Sequence, residues 1–338
     1  MKFLIAGLGS IGRRHLRNLV TLGVRDIILY RTHHSTLKDD ELTGFPVETY
    51  LETALSHKPD AVIISNPTAL HLDVAIPAAR AGCHLLLEKP ISHTMERVEE
   101  LEEAVAQGGG QVLVGFQFRF HPGLEKTAEL IKQGVIGRPL SARAVYGEYL
   151  PGMHPWEDYR ISYSTRQELG GGVILTLCHP IDYLRWILGE VTGLWAFVRR
   201  INNFDIQVED TAEIGLQFLS GAVGSVNLNY NQRPSTQYLE IVGVDGGLRW
   251  DNDTGAVSIF QSQESESLDV KTVHWEMDSV PDGFERNDMF LAEMAHFLKV
   301  MSGEAKPACS LYDGRKALEL ALAAHESSRN EQLIKFSE

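Results

Sequence analysis

Cysteine and long apolar runs are both scarce in this chain. Its three cysteines, Cys83, Cys178 and Cys309, are odd in number and widely separated, which favours neither a disulfide framework nor a zinc cluster. No stretch reaches the roughly 18 consecutive apolar residues that a membrane-spanning helix needs. The sequence therefore predicts a cytoplasmic protein without a membrane partner.

Positive charge is scarce as well. Acidic residues outnumber Lys and Arg by 45 to 31, the formal net charge is −14, and the basic residues form no block. Nucleic acid would repel such a chain, so we expect the main partner to be a small molecule. The 338 residues, 43% of them hydrophobic, suffice for two domains with separate cores.

Strand and helix patterns alternate over the first third of the chain. Helix patterns separate five apolar runs, the predicted strands, at residues 3–6, 26–30, 61–65, 84–88 and 112–116. Such alternation is typical of a doubly wound parallel sheet, and it predicts an α/β domain over residues 1–118.

The pattern changes after residue 118. One helix ending near Gln133 is followed mainly by strand patterns, at residues 140–148, 195–200, 211–219, 224–230 and 238–244, with several short ones up to residue 275. Because few helices interrupt them, we predict an α+β domain, residues 119–338, on a largely antiparallel open sheet. Two closing helices, about 285–301 and 313–329, can pack back on the first domain.

A glycine pattern follows the first predicted strand. Gly7, Gly9 and Gly12 have the spacing GxGxxG between that strand and a helix pattern. The first glycine makes the turn, the second lets the backbone approach a pyrophosphate, and the third lets helix and strand pack closely. Backbone N–H groups at the helix start, near Ser10 and Ile11, would hold the phosphates. The pattern predicts a dinucleotide-binding domain of the Rossmann type.

The second strand ends without the acidic residue that would hold the adenine ribose of NAD. Tyr30, Arg31 and Thr32 stand there instead. Arginine can pair with a 2′-phosphate and stack on adenine, which favours NADP over NAD. The alternative is that Arg31 only stacks and the site accepts either cofactor. The adjacent His33-His34 pair is not expected to bind metal, because neighbouring side chains diverge and no third ligand is evident.

Further cofactor contacts are expected where other strands end, since ligands bind at the carboxyl edge of an open α/β sheet. The candidates are Ser65, Asn66, Pro67, His71, Glu88, Lys89 and Gln117. His71 could equally be an ordinary helix histidine. Lys89, in Glu88-Lys89-Pro90, is the candidate for chemistry, and its alternative is a solvated lysine on a strand-to-helix loop.

Two segments of the second domain carry candidate substrate contacts. Three glycines, 170–172, precede a predicted apolar helix in which His179 and Asp182 lie one turn apart on one face. Arg119 and a loop containing Trp156, Tyr159 and Arg160 offer aromatic rings and charges that suit a sugar ring or an anionic group. The loop is equally suited to a subunit contact.

In their order and spacing these motifs resemble the Gfo/Idh/MocA superfamily of oxidoreductases, named after glucose-fructose oxidoreductase and inositol dehydrogenase. The matching segments are Gly7 to Gly12 with His15, Asn66-Pro67 with His71, Glu88-Lys89-Pro90, 115–122, 170–182, and 208–212 with Gly221. The resemblance implies an N-terminal Rossmann domain and a C-terminal domain whose open sheet supports homodimers or homotetramers. It also implies NAD(P)-dependent chemistry on sugars, polyols or their derivatives, with Lys89 as catalytic lysine.

One position departs from the family. Its second catalytic motif usually has an aspartate four residues before a histidine; here His179 matches the histidine, but Thr176 stands in the aspartate's place with a spacing one residue shorter. We expect His179 to accept the hydroxyl proton and, with Lys89 and the substrate, to form the reacting centre. Thr176 can at most orient a neighbour, and Asp182 can either orient His179 or simply cap or pair within its own helix.

Two alternatives remain open at this point. One is a dehydrogenase or reductase of a non-sugar substrate, as in the dihydrodiol dehydrogenases and biliverdin reductases of this fold. The other is a non-catalytic, dinucleotide-sensing regulator. Lys89 and His179 favour an enzyme, whereas Thr176 keeps the regulator open.

Overall fold

The computed structural model describes residues 1–32, 40–261 and 276–336. His33, His34 and the strand patterns expected at 262–275 lie outside these residues. The chain forms two compact units, the first from residues 1–117, 161–171 and 285–319 and the second from 118–160, 172–284 and 320 onward. The functional division at residue 118 remains a prediction, but residues 285–319, with the first closing helix, count with the first unit.

The elements are numbered in chain order. The strands are β1 (Lys2–Ala6), β2 (Asp26–Tyr30), β3 (Val47–Glu48), β4 (Ala61–Ile64), β5 (His84–Glu88), β6 (Val112–Gly115), β7 (Pro139–Tyr149), β8 (Val191–Arg199), β9 (Thr211–Phe218), β10 (Val223–Asn229), β11 (Asn231–Gly243), β12 (Gly246–Asp251), β13 (Val257–Gln261), β14 (Glu276–Asp278) and β15 (Ile334–Lys335). The α-helices are α1 (Ser10–Thr21), α2 (Leu51–Ser56), α3 (His71–Arg80), α4 (Val98–Gly108), α5 (Pro122–Lys132), α6 (Leu150–Met153), α7 (Val173–Thr176), α8 (His179–Leu188), α9 (Arg286–Met301) and α10 (Leu311–Asn330). Among the described residues, no helix is both long and apolar enough to cross a bilayer.

The first unit contains a six-stranded sheet in the order β3-β2-β1-β4-β5-β6. Every neighbouring pair is parallel, which confirms the predicted doubly wound sheet. Strand order reverses between β1 and β4, and that switch point is where such sheets bind ligands, outside the carboxyl ends of the strands. All four residues of β4 are buried, as expected for a strand covered on both faces.

Helix α1 buries polar residues as well as apolar ones. Leu16 and Leu19 belong to the apolar core, yet Arg13, His15 and Asn18 are also buried. Helix α9 packs against α1. The first unit therefore has a polar region within its core, beside the strand ends that carry the predicted site.

The second unit contains a nine-stranded sheet in the order β14-β13-β12-β11-β7-β10-β9-β8-β15. Among the described strands of this second sheet, only β7 and β10 pair in parallel, so the largely antiparallel sheet is confirmed. Strand β11 begins at Asn231, seven residues earlier than expected. Its polar beginning and Pro234 looked like a loop, and the register does shift there, between Asn231 and Thr236.

Candidate active site

The glycine loop after β1 is tightly packed at its first and third glycines. Gly7 has a φ of +90°, and a Cβ there would lie 2.3 Å from the backbone nitrogen of Asn66. A Cβ on Gly12 would lie 1.9 Å from the carbonyl oxygen of Gly7. Both positions require glycine because the chain passes too close for any side chain.

The second glycine is open instead. A Cβ on Gly9 would meet no atom of the described residues within 4 Å. The first turn of α1, which follows directly, reads Ser10-Ile11-Gly12-Arg13, so its backbone N–H groups and its dipole favour an anion. The open space at Gly9 and the start of α1 therefore fit the pyrophosphate of a dinucleotide.

The loop after β4 braces the glycine loop. Oγ of Ser65 lies 3.1 Å and 2.9 Å from the carbonyl oxygens of Ala6 and Gly7, to which it can donate. Asn66 donates from Nδ2 to the carbonyl oxygen of Leu70 (2.9 Å). Its Oδ1 is buried and has no hydrogen-bond partner among the described residues, so it is an acceptor that a ligand donor could satisfy. Pro67 follows it in the same loop.

His71 connects two of the predicted ligand-binding loops. Its Nδ1 lies 2.9 Å from the carbonyl oxygen of Pro90 and its Nε2 lies 2.9 Å from that of Asn66. Burial lowers the pKa of His71 to about 4, although the Glu88 carboxylate acts in the other direction. The ring is therefore neutral at pH 7, so it donates to one of the two carbonyl oxygens and packs against the other; a direct cofactor contact remains a prediction.

Strand β5 ends at Glu88, and Lys89 follows it at the carboxyl edge of the sheet. Glu88 is 8% exposed. It accepts a hydrogen bond from Nε2 of His15 (2.8 Å) through Oε1 and one from the backbone N–H of Lys89 (3.3 Å) through Oε2. Lys89 is half-buried. The residue before the predicted catalytic lysine is thus anchored to α1.

Sequence reasoning missed a second buried acid in this unit. Glu293, on α9, is 0% exposed, and both of its carboxylate oxygens lack a hydrogen-bond partner among the described residues. Burial, with the charge of Glu88, raises the pKa of Glu293 well above its usual range. An amphipathic helix pattern gives no signal for such a residue, because a glutamate is normally solvated.

The remaining cofactor candidates lie at strand ends. Tyr30 is the last residue of β2, Arg31 is buried, and Thr32 is exposed. The backbone N–H of Arg31 donates to the carbonyl oxygen of Glu48 (3.1 Å). Gln117 follows β6 and is 4% exposed.

In the second unit, the predicted single helix after the glycines is two helices. Helix α7 ends at Thr176 and α8 begins at His179, so the expectation of one continuous helix was wrong. Pro180 explains the break, because proline suits the first turn of a helix and not its interior. His179 is 3% exposed, and Phe118 packs edge-on against its ring with 4.8 Å between centroids.

Asp182 lies one turn after His179 and binds Arg119. The guanidinium donates from Nε to Oδ2 (2.9 Å) and from Nη2 to Oδ1 (2.7 Å). Asp182 thus pairs with a residue outside its own helix, and an orienting role toward His179 remains a prediction. The Arg119 guanidinium is thus bound to a carboxylate of the protein itself. A contact of Arg119 with substrate remains a prediction.

Glu209 supports the start of α7. Its Oε1 accepts a hydrogen bond from the backbone N–H of Ile174 (3.2 Å), and Gly172, with a φ of +116°, leaves room for it, since a Cβ there would lie 2.4 Å from Oε1. Burial raises the pKa of Glu209 to about 7. The sequence marked this segment only as a family motif.

The predicted substrate loop is more exposed. Trp156 is 56% exposed, and its ring lies 5.1 Å from that of His154. The ring of Tyr159 lies 5.9 Å from that of Phe204. Arg160 donates to both carboxylate oxygens of Asp158 from Nε, each at 2.9 Å, so an anionic ligand would have to compete with Asp158.

Comparisons with known proteins cover both units. The model of the oxidoreductase family with an NAD-binding Rossmann fold matches residues 1–116, and that of the GFO/IDH/MocA C-terminal domain matches residues 124–249. Myo-inositol 2-dehydrogenase of Thermotoga maritima is 28% identical, over 100% of this chain and 99% of that protein. scyllo-Inositol 2-dehydrogenase (NAD(+)) of Bacillus subtilis is 28% identical, over 96% of this chain and 93% of that protein.

A solved structure agrees in fold. Levoglucosan dehydrogenase, in complex with NADH and levoglucosan, has a TM-score of 0.87 at 20% sequence identity, with 100% of both chains covered. The family models match in the order in which the two sheets occur along the chain. The chain belongs to the Gfo/Idh/MocA family of NAD-binding oxidoreductases.

Proposed function

We propose that the protein transfers a hydride between a nicotinamide cofactor and a hydroxyl or carbonyl carbon of a sugar, a polyol or a sugar derivative. One observation carries the proposal: Lys89 follows β5 at the same sheet edge as the open glycine loop after β1, with β4 as the single strand between them. The names of the relatives, dehydrogenases of inositols and levoglucosan, support the substrate class.

The chain's own residues have separate roles in this reaction. When bound, the nicotinamide supplies the hydride acceptor, or the donor in the reverse direction. The ammonium group of Lys89 donates a hydrogen bond to the reacting oxygen, which stabilises a developing alkoxide and polarises a carbonyl. His179 takes the hydroxyl proton or returns it. Thr176 cannot serve as a carboxylate base.

Cofactor titration followed by a substrate panel tests the proposal. We expect NADH or NADPH to bind, and an inositol, an aldose, an anhydrosugar or a sugar acid to be turned over. Lys89→Met should lower kcat by ~100- to 1,000-fold, the cost of losing one donor to a developing oxyanion. Lys132→Met, at an exposed lysine ending α5, is the control. Tight cofactor binding with no turnover of any alcohol or carbonyl would instead indicate a dinucleotide sensor.

We also propose that NADP is favoured over NAD. Tyr30, Arg31 and Thr32 support this, because a positive group stands where a 2′-phosphate would lie. Arg31→Ala should weaken NADPH by ~10- to 100-fold more than NADH, as expected for a hydrogen bond to a charged group. The Bacillus subtilis relative has NAD(+) in its name, and tighter binding of NADH than NADPH by the wild type would reverse the preference.

For the substrate, we propose contacts from Lys89, His179, Arg119, Trp156, Tyr159 and Arg160. The exposed ring of Trp156 supports this, since aromatic faces bind the apolar side of sugar rings. Trp156→Ala should raise KM with little change in kcat, and an unchanged KM would assign the loop to another role.

We propose a homodimer or homotetramer formed through the second sheet. Trp195 and Phe197 on β8 are 36% and 54% exposed and pack edge-on, 4.0 Å apart between centroids. Light scattering should show an oligomer that Trp195→Glu/Phe197→Glu dissociates. A wild-type monomer would contradict this interface.

A cytoplasmic location is proposed from the cysteines. All three are buried, and their odd number suits a reducing compartment better than a secreted protein. We propose small molecules as the partners, without nucleic acid or membrane, from the net charge of −14. Subcellular fractionation would test the location.

A further inference from the structure

Two adjacent side chains contact the first turn of α8. Both belong to the short 3-10 helix Gln117–Phe120 that precedes α5. The ring of Phe118 packs edge-on against His179, with 4.8 Å between centroids and 68° between planes. The guanidinium of Arg119 binds both carboxylate oxygens of Asp182, at 2.9 Å and 2.7 Å. The 3-10 helix thus contacts the first residue of α8 and the residue one turn later.

The ion pair between Arg119 and Asp182 is removed from water. The two side chains are 4% and 3% exposed. Arg119 also lies over the ring of Trp186, 5.7 Å from its centroid, one turn further along α8. Two parallel N–H···O bonds define an orientation as well as a distance, which a single contact does not. Removing one partner would leave a buried charge uncompensated, whereas removing both would not.

We propose that the Arg119–Asp182 ion pair is a positioning device that fixes the rotation of α8 and thereby aims the His179 imidazole. The inference rests on the proposed role of His179 as proton acceptor. Neither Arg119 nor Asp182 exchanges a proton with substrate in this scheme. Edge-on packing against Phe118 and the first turn of its own helix contribute to the orientation of the ring.

A titration of His179 also responds to the other titratable and charged groups near its ring. The elements packed against α8 include β7, α5 and β10, and β12, whose Trp250 ring lies edge-on to Tyr183. Tyr146 on β7 has its ring 6.3 Å from that of His179 and donates to Glu148 (2.7 Å). His121 stacks on Phe118, and burial lowers its pKa to about 4, so it is neutral at pH 7.

The other charged side chains on these elements are exposed or partly exposed: Glu125, Lys126, Glu129, Lys132, Arg143, Arg249 and Asp251. Strand β10 carries no charged residue along its described length. The buried charges on the 3-10 helix and in the first turn of α8 are therefore those of Arg119 and Asp182.

The experiment titrates His179 in the full-length protein by NMR of labelled histidine, with its resonance assigned by its loss in His179→Gln. Asp182→Asn removes the negative partner and keeps the positive charge of Arg119, so the pH midpoint of the His179 titration should fall. Arg119→Met removes the positive partner and keeps the carboxylate, so that midpoint should rise. The double variant Arg119→Met/Asp182→Asn should return the midpoint to the wild-type value.

Kinetics of the same variants test the positioning itself. The double variant removes both buried charges and should fold, yet it should lose ~10- to 100-fold in kcat, the effect of a misplaced catalytic group. An accompanying rise in KM would report the separate, proposed contact of Arg119 with substrate. Arg119→Lys keeps the positive charge but loses the two parallel hydrogen bonds of the guanidinium. We therefore expect kcat to fall while the pH midpoint of the His179 titration stays at the wild-type value. Glu190→Gln, which breaks the Arg185 ion pair at the end of the same helix, is the matched control and should change neither.

Two results would overturn the inference. Shifts of the midpoint in the same direction in both single variants would show that the pair does not act on His179. Wild-type kcat in the double variant would show that the pair does not position the ring. A wild type without turnover on any substrate would contradict the proposed function alone, and the titration would still decide whether the pair controls His179.

Discussion

Nε2 of His15 lies 2.8 Å from Oε1 of Glu88, which ties the helix after the glycine loop to the strand end that carries Lys89. Both side chains are buried. A displacement of α1 would therefore also move the backbone at Lys89, and the predicted cofactor-binding loop and the predicted catalytic lysine are held in one arrangement.

Replacing His15 with alanine should destabilise the protein and weaken cofactor binding. The substitution leaves the buried Glu88 carboxylate without this donor, at a cost of about 1–3 kcal/mol. Thermal unfolding and NADH titration measure the two effects. His57→Ala is the control, since His57 makes the same kind of bond to Glu48 (2.7 Å) at an exposed position. Equal losses in the two variants would contradict a special role for His15.

Alanine substitutions at Gly9 and Gly12 should have different effects, the first on dinucleotide affinity and the second on stability. Gly9→Ala should fold normally, because its φ of −71° suits alanine and its Cβ has space. The added methyl should lower dinucleotide affinity by ~10- to 100-fold where the pyrophosphate approaches. Gly12→Ala should instead cost about 1–3 kcal/mol of stability through its close contact with Gly7. Normal NADH binding by Gly9→Ala would place the phosphates elsewhere.

Glu293→Gln should become stabilising as pH rises. An unfolded glutamate titrates near ~4.3, and burial raises the pKa of Glu293 in the folded state. Wild-type stability is therefore complete below ~4.3 and falls as pH rises toward the folded value, by up to ~1.4 kcal/mol per pH unit. Unfolding of both proteins at pH 5, 7 and 9 measures the difference, with exposed Glu129→Gln as control. A difference that does not change with pH would show that Glu293 titrates normally.

Glu209→Gln should show the same sign over a narrower range. The pKa of Glu209 is raised to about 7 by burial, so wild-type stability should fall relative to the variant between ~4.3 and about 7 and then level off. Denaturant unfolding across this range would locate the plateau. Continued divergence above pH 8 would be inconsistent with that pKa.

The sequence predicted those parts of the site that follow from local pattern. The strand, the glycine turn and the start of α1 are contiguous, and the turn chemistry of Gly7 and Gly12 is visible in their spacing alone. The position of Lys89 at the end of a strand could be predicted because an apolar run ends there. Both sheets were predicted correctly in type, since the periodicity of strands and helices sets the fold class.

Pairings between distant residues could not be predicted. Arg119 and Asp182 are 63 positions apart, and no local pattern states that one satisfies the other. The same holds for the closeness of Glu293 to Glu88, which depends on how α9 packs on α1. The break between Thr176 and His179 was a local signal that was missed, because Pro180 sits in an otherwise continuous apolar pattern.

The return of residues 285–319 to the first unit has a consequence for synthesis. The N–H of Val114, on β6, donates to the carbonyl oxygen of Cys309, and the ring of Phe290 packs on His15. A nascent chain that has emerged only to residue 117 lacks these partners and exposes the face of α1 that α9 covers. The first unit is therefore completed only after residues 285–319 have been synthesised, and until then its uncovered apolar surface favours non-native association.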